Sequence, residues 1–266
     1  MTLDEILAHP PRVLTQTQRA SYFERGYLHL ERFLSDEWVQ RLRCATSEVI
    51  ERSRSVPASN DEYVVEPDHC RAAPRLRRLN STVDRHPTYW SFAFESQLPD
   101  LVADLVGPDV KFRESQMNFK ASEGGDEVRW HQDFPFQPHT NTSTLATLTC
   151  IEDVTEEMGP LQVIPGSHKL GFFDHYDNNG QWAGRVSDTD LESVPVDDAL
   201  SLTGPAGSVT VIHSGILHHS RPNHSDRWRP LLICGYASAD AFPFVPHYSI
   251  GTRSKYAFQM ARGEPA

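Results

Sequence analysis

Hydrophobic and polar positions follow two different periods along the chain, and the change falls near residue 110. Before that point the apolar positions recur mainly at helical spacing. Thr15 or Thr17 can cap a helix that Gly26 ends, and Ser35 opens a second helix. A further helix is expected in LPDLVADLV, whereas YLHLERF alternates like a short strand. The first 109 residues are therefore predicted to be a mainly helical support.

Beyond residue 110 the pattern changes to short strands rich in β-branched and aromatic residues, bounded by glycine or proline. These segments are VKFRESQMNFKA, STLATLTCIED, LQVIPGS, GSVTVIHSGILHHS and RPLLICGYAS. Many short strands after helices predict a mainly β protein with helices, built on a barrel or jelly-roll core over residues 110–245. We expect one domain over 1–266, with a C-terminal tail at 246–266 and a long polar loop near 171–200 that covers a site.

Composition narrows the function to small-molecule chemistry. The net charge of -11 argues against a nucleic-acid interface and against docking on anionic lipid. The 4 cysteines are widely scattered, so neither a zinc knuckle nor a disulfide framework is indicated. The N-terminus carries acids and prolines, and no long apolar run follows it. These features predict a cytoplasmic protein without a membrane segment and without an evident obligate protein partner.

Three His-x-Asp pairs are candidates for chemistry, because residues i and i+2 of a strand point to the same face. They are His131/Asp133, His175/Asp177 and His224/Asp226. A chain with 13 histidines produces about one such pair by chance, so the context decides. The second and third pairs lie in polar, turn-like runs and are expected to be solvated. The first pair follows a predicted strand and a glycine turn at 122–125, and large aromatic residues bracket it.

A facial triad of two histidines and one carboxylate needs another histidine from a distant strand. Such a triad leaves open positions that suit iron(II), oxygen and a chelating co-substrate. The candidates for the third ligand are His213, His218 and His219, all within VIHSGILHHSRPN. Residue types alone leave the choice among these three histidines open.

Four segments in this order resemble the phytanoyl-CoA dioxygenase family of iron(II)- and 2-oxoglutarate-dependent oxygenases. They are LTQTQRASYFERGYLHLERFLSDEWVQRLR, WHQD, CIEDVTEEMGPLQVIPGSHKLG and LHHSRPNHSDRWR. The resemblance implies a double-stranded β-helix core, the cupin-like jelly roll, with N-terminal helical support. It also implies His131, Asp133 and His218 as the metal ligands. His219 stands where glycine is common in the family and is the alternative to His218.

The same resemblance implies roles for residues around the metal. Arg229 would pair with the far carboxylate of 2-oxoglutarate, with Arg227 as its competitor. The remaining assignments are Ser220 and Gln116 near the co-substrate, and Asn118, Lys120, Phe134 and Phe136 near the substrate. The Gln116, Asn118 and Lys120 side chains share one strand face. The pattern fits a solvent-facing stripe and a cavity lining equally well.

The expected reaction is hydroxylation of an unactivated C–H bond in a small molecule, with Fe(II) as cofactor and 2-oxoglutarate and O2 as co-substrates. The acidic chain offers no evident basic surface for a large polyanion such as CoA, apart from Arg75, Arg77 and Arg78. A small polar metabolite or natural-product intermediate is therefore favoured. The alternatives are a cupin-like metal enzyme of another class and a non-catalytic 2-oxoglutarate-binding module.

Overall fold

Two antiparallel sheets form the core of the computed structural model, which describes residues 1–122, 127–244 and 254–264. Among these residues the larger sheet contains β1 (Tyr27–Leu30), β2 (Tyr63–Val65), β3 (Leu76–Asn80), β4 (Val110–Lys120), β6 (Thr144–Cys150), β9 (Val209–His213), β11 (Arg229–Ser238) and β12 (Met260–Arg262). The smaller sheet contains β5 (Val128–His131), β7 (Leu161–Val163), β8 (Leu200–Leu202) and β10 (His218–Ser220). This is the predicted jelly roll.

Strand order follows from the pairing. The larger sheet runs β1-β9-β6-β11-β4-β3-β2, with β12 also paired to β4, and the smaller sheet runs β5-β10-β7-β8. Apolar side chains such as Leu148, Val163, Ile212 and Leu231 fill the space between the two sheets. Strands of both sheets therefore present one face to this interior.

Helices cover the outer face of the larger sheet. They are α1 (Leu3–Ala8), α2 (Gln16–Arg25), α3 (Asp36–Ser53), α4 (Thr82–Arg85), α5 (Pro87–Glu95) and α6 (Leu98–Val106), with α7 (Asp188–Leu191) in the later loop. Thr15 caps α2 by accepting a hydrogen bond from the N–H of Gln18, and Gly26 ends it at a φ of 79°. The apolar faces of α3, α5 and α6 belong to one core with residues such as Phe112 of β4. No helix in the described part of the chain is long and apolar enough to cross a membrane.

The structure departs from the predicted division at three places. The helical support also contains β2 and β3, which extend the larger sheet beyond β4. Part of the predicted tail is β12, paired with Lys111 of β4. The loop near 171–200 is mostly irregular but includes α7, and β8 begins at Leu200. The predicted glycine turn from residue 123 onward and the tail at 246–253 lie outside the described residues.

Candidate metal centre

Neighbouring strands of the smaller sheet bring His131, Asp133 and His218 together. His131 ends β5 and is the direct cross-strand partner of His218, the first residue of β10. The Oδ1 atom of Asp133 lies 3.7 Å from His131 Nε2 and 3.6 Å from His218 Nε2. One ligand atom from each residue lies within 4.8 Å of the others. The three side chains can therefore share one metal ion.

Backbone carbonyls orient both imidazole rings toward this point. His131 Nδ1 hydrogen-bonds to the carbonyl of Arg129 at 2.8 Å, and His218 Nδ1 to the carbonyl of Ile216 at 3.1 Å. Each Nδ1 therefore donates, and each Nε2 keeps its lone pair for a metal. Burial, reinforced by the neighbouring His218, lowers the pKa of His131 to about 3. This keeps the His131 ring neutral, as metal binding requires, and two neutral imidazoles with one carboxylate fit iron(II) with open positions.

The other two histidines from the distal segment are directed elsewhere. His219 stacks on Trp130 with the ring centroids 4.0 Å apart, and its Nε2 hydrogen-bonds to the Gln162 side chain. The Nδ1 of His213 accepts a hydrogen bond from the N–H of Gly215 at 2.9 Å. Among the three candidates, His218 is the one that the fold places beside Asp133.

The remaining His-x-Asp pairs have different environments from each other. His224 and Asp226 are exposed, as predicted. The prediction of a solvated loop is wrong for His175, which is only 1% exposed and accepts a hydrogen bond from the N–H of Gln132 at 3.0 Å. His175 is buried because the loop folds back over the end of β5, whereas Asp177 accepts backbone hydrogen bonds within an exposed turn.

Gln132, between the candidate ligands His131 and Asp133, is a structural residue that the sequence reasoning missed. Its side chain is fully buried, and its Nε2 donates to the carbonyls of Gly171 at 2.8 Å and Gly215 at 2.7 Å. Its Oε1 accepts from the N–H of Phe173 at 2.8 Å. One amide thus joins the start of the long loop and the β9–β10 turn to the metal centre. Nothing in the local pattern distinguishes Gln132 from an exposed glutamine.

A cavity of about 500 Å³ opens beside the three ligands. The polar stripe of β4 lines it through Gln116, Asn118 and Lys120, so the stripe is a cavity lining and not a solvent-facing surface. Glu114 continues the stripe. The same alternation, followed two residues further back, would have identified Glu114 from the sequence.

Arg229 lines this cavity beside Lys120, which is its cross-strand partner on β4. It is 3% exposed, and its Nε has no hydrogen-bond partner among the described residues. Burial lowers the pKa of Arg229 to about 10, so the guanidinium stays charged at neutral pH. A buried cation in this position fits a carboxylate of a bound co-substrate. Its competitor Arg227 is exposed.

The other predicted residues occupy several positions around the cavity. Ser220 lines it, and Lys120 donates from its ammonium group to the backbone carbonyls of Ser220 and Arg221. Phe136 also lines it, with its ring edge-on to His131 at 5.7 Å. Phe134 instead stacks on Phe172 of the long loop, with centroids 4.3 Å apart. Phe134 therefore contacts the loop, because Phe134–Phe136 form a 3-10 helix, in which residues two positions apart do not share a face.

Comparison with known proteins places the chain in one family. A family model described as phytanoyl-CoA dioxygenase (PhyH) matches residues 22–231. A probable alpha-ketoglutarate-dependent hypophosphite dioxygenase of Stutzerimonas stutzeri is 32% identical over 249 residues, 92% of this chain and 85% of that protein. An L-proline trans-4-hydroxylase of Streptomyces griseoviridis is 28% identical, over 89% of this chain and 92% of that protein. The crystal structure of EctD from S. alaskensis with 2-oxoglutarate and 5-hydroxyectoine shares the fold, with a TM-score of 0.75 and 22% identity over 99% of this chain and 90% of that one. The chain belongs to the phytanoyl-CoA dioxygenase family.

Proposed function

We propose that the protein is an iron(II)- and 2-oxoglutarate-dependent dioxygenase that hydroxylates an unactivated C–H bond of a small-molecule metabolite. The observation that carries this proposal is the group His131, Asp133 and His218 at the cavity, with both imidazole Nδ1 atoms fixed by backbone carbonyls. The relatives named as a hypophosphite dioxygenase and a proline hydroxylase support the reaction class. The polar lining of β4 supports a small polar substrate.

Within this proposal His131, Asp133 and His218 hold the iron. Bound iron(II) supplies the chemistry by which oxygen and 2-oxoglutarate oxidise the substrate. Arg229 pairs with the far carboxylate of 2-oxoglutarate, because a buried guanidinium can donate two parallel hydrogen bonds to it. Gln116 and Ser220 are the neighbouring groups that would contact the co-substrate.

The cavity wall positions the substrate and excludes water. Phe136 packs edge-on against both His131 and Trp182, at 5.7 and 4.9 Å. Trp182 in turn stacks on His175, so the loop at 171–200 closes one side of the site with aromatic rings. An apolar wall beside the metal ligands limits the access of water to the reacting centre. Asn118 and Lys120 line the opposite wall, where we place the substrate.

We propose further that the chain acts as a single domain, with residues 1–109 supporting the core. A cytoplasmic location and activity without an obligate protein partner stay predictions from the sequence. The competing functions are a cupin-like metal enzyme of another class and a 2-oxoglutarate-binding module without turnover. Arg229 favours the dioxygenase over the other metal enzyme, because an enzyme that binds no dicarboxylate has no need of a buried cation whose Nε lacks a partner among the described residues.

Anaerobic reconstitution with iron(II) and 2-oxoglutarate, followed by oxygen, tests the proposal through succinate release. The wild-type protein is expected to release succinate, and a metabolite screen should yield a product heavier by one oxygen atom. Asp133→Ala should abolish succinate release. The matched control is Asp226→Ala, which removes an exposed aspartate of another His-x-Asp pair and should leave release unchanged. Undiminished release from Asp133→Ala would contradict the proposal.

A further inference from the structure

The register of the larger sheet brings a second arginine into the cavity. Arg78 of β3 is the cross-strand partner of Asn118 of β4, and Asn118 is in turn the partner of Leu231 of β11. Directly paired residues share a sheet face, so Arg78 points to the same side as the polar stripe. The Nε of Arg78 donates to Oδ1 of Asn118 at 3.1 Å. The guanidinium is thereby fixed on the cavity wall.

Of the other five lysines and arginines that line the cavity in the described part of the chain, Arg77 and Arg129 are exposed, and the remaining three already have a use or a partner. Lys120 donates to backbone carbonyls, and Arg185 lies 3.5 Å from Asp188. Arg229 is the group proposed above to bind 2-oxoglutarate. These three cations therefore offer no site for a further anion.

Arg78 differs from them. Within residues 1–122, 127–244 and 254–264, its hydrogen bond to Asn118 is the one that its guanidinium makes, and no carboxylate oxygen lies within 4.0 Å of it. The carboxylate on the same wall, Glu114, lies 3.9 Å from Arg113 and acts on Arg78 only from beyond ion-pair distance. A half-buried guanidinium without a directly paired carboxylate is stabilised by a ligand that brings an anionic group to it.

We propose that Arg78, held by Asn118, binds an oxyanion of the substrate, so that the substrate is a small organic anion carrying a carboxylate, phosphinate or phosphonate group. With Nε engaged by Asn118, the two Nη atoms remain for a pair of parallel hydrogen bonds to two oxygens of one group. The anion would lie on the β3–β4 side of the wall, separated from Arg229 by the width of β4. This inference rests on the proposed function, because it assigns a substrate class to the same cavity.

Calorimetric titration under anaerobic conditions, with the enzyme loaded with iron(II) and 2-oxoglutarate, tests the inference. The probes are propionate, methylphosphinate and methylphosphonate, which distinguish the three oxyanions, with neutral propionamide as the matched uncharged probe. At least one oxyanion should bind to the wild-type enzyme, and propionamide should not. Arg78→Gln should weaken binding of that oxyanion at least about tenfold, since it removes a charge-assisted pair of hydrogen bonds. The affinity for 2-oxoglutarate should stay unchanged.

Two further variants separate the local role of Arg78 from general charge and from folding. Arg41→Gln removes an exposed arginine that stacks on Trp38 and should bind the oxyanion as the wild type does. Arg78→Lys keeps the charge but not the planar fork and should bind several-fold more weakly than the wild type. If Arg78→Gln does not fold, Arg78→Lys decides, and wild-type affinity in that variant overturns the inference.

The inference also fails if no oxyanion binds, if propionamide binds as well as propionate, or if Arg78→Gln matches the wild type. Failure of the proposed function has a separate signature. In that case the wild-type enzyme releases no succinate from 2-oxoglutarate under oxygen, whatever anion it binds. Succinate release without any oxyanion binding therefore rejects the substrate class and leaves the reaction class standing.

Discussion

Replacing Gln132 by methionine should destabilise the protein severely, although the side chain keeps its length and nearly its volume. The change removes three buried hydrogen bonds, to the carbonyls of Gly171 and Gly215 and from the N–H of Phe173. Each is worth about 1 kcal/mol net, and each backbone group left without a partner costs about 1–3 kcal/mol. Because water can reach some of these groups after local opening, we expect a loss of about 3–6 kcal/mol. That loss is a large part of the roughly 5–15 kcal/mol that stabilises a typical domain.

Urea unfolding followed by far-ultraviolet circular dichroism measures this loss, and calorimetric titration with iron(II) measures its effect on the metal centre. The midpoint should fall, and iron(II) affinity should fall with it, since Gln132 lies between His131 and Asp133. The matched control is Gln40→Met on the exposed face of α3, which should stay within about 0.5 kcal/mol of the wild type. A Gln132→Met protein within about 1 kcal/mol of the wild type would refute the argument that this amide holds the loop.

Three other predictions concern single side chains. Arg229→Gln should raise the Kd for 2-oxoglutarate by about 10- to 100-fold in calorimetric titration, whereas Arg227→Gln should not; the opposite pattern would exchange their roles. His218→Ala should abolish stoichiometric iron(II) binding measured by metal analysis, and His219→Gln should retain it; loss of iron in both variants would contradict the geometry. Burial lowers the pKa of His213 from 6.5 to about 4, so the stability it contributes is fully present above pH 6.5 and is lost as the pH falls toward 4. Between pH 6.5 and pH 4 the free energy of unfolding, measured with urea, should therefore fall less for His213→Asn than for the wild type, by at most about 3 kcal/mol. An equal fall in both proteins would show that burial does not lower the pKa of His213.

Local patterns were enough to predict most elements and to single out two of the three proposed metal ligands. Helix starts follow from capping chemistry that spans a few residues, as at Ser35, whose side chain accepts from the N–H of Trp38. Strands follow from alternation, which correctly located β1 and β4. The spacing of His131 and Asp133 likewise places both side chains at one strand end. The short strands β2 and β3 were not predicted because few residues define them; β3 joins the sheet by pairing with β4, and β2 joins it by pairing with β3.

The sequence by itself thus determined the mainly β core, its helical cover and the His-x-Asp half of the candidate site, because these depend on the backbone period of neighbouring residues. Tertiary structure alone decided whether His218 or His219 lies beside Asp133, since that depends on the register of β10 against β5. It also buried His175 and set Arg78 opposite Asn118. Such cross-strand neighbours come from segments distant in the chain, and a shift of one residue in register would turn each side chain to the other face.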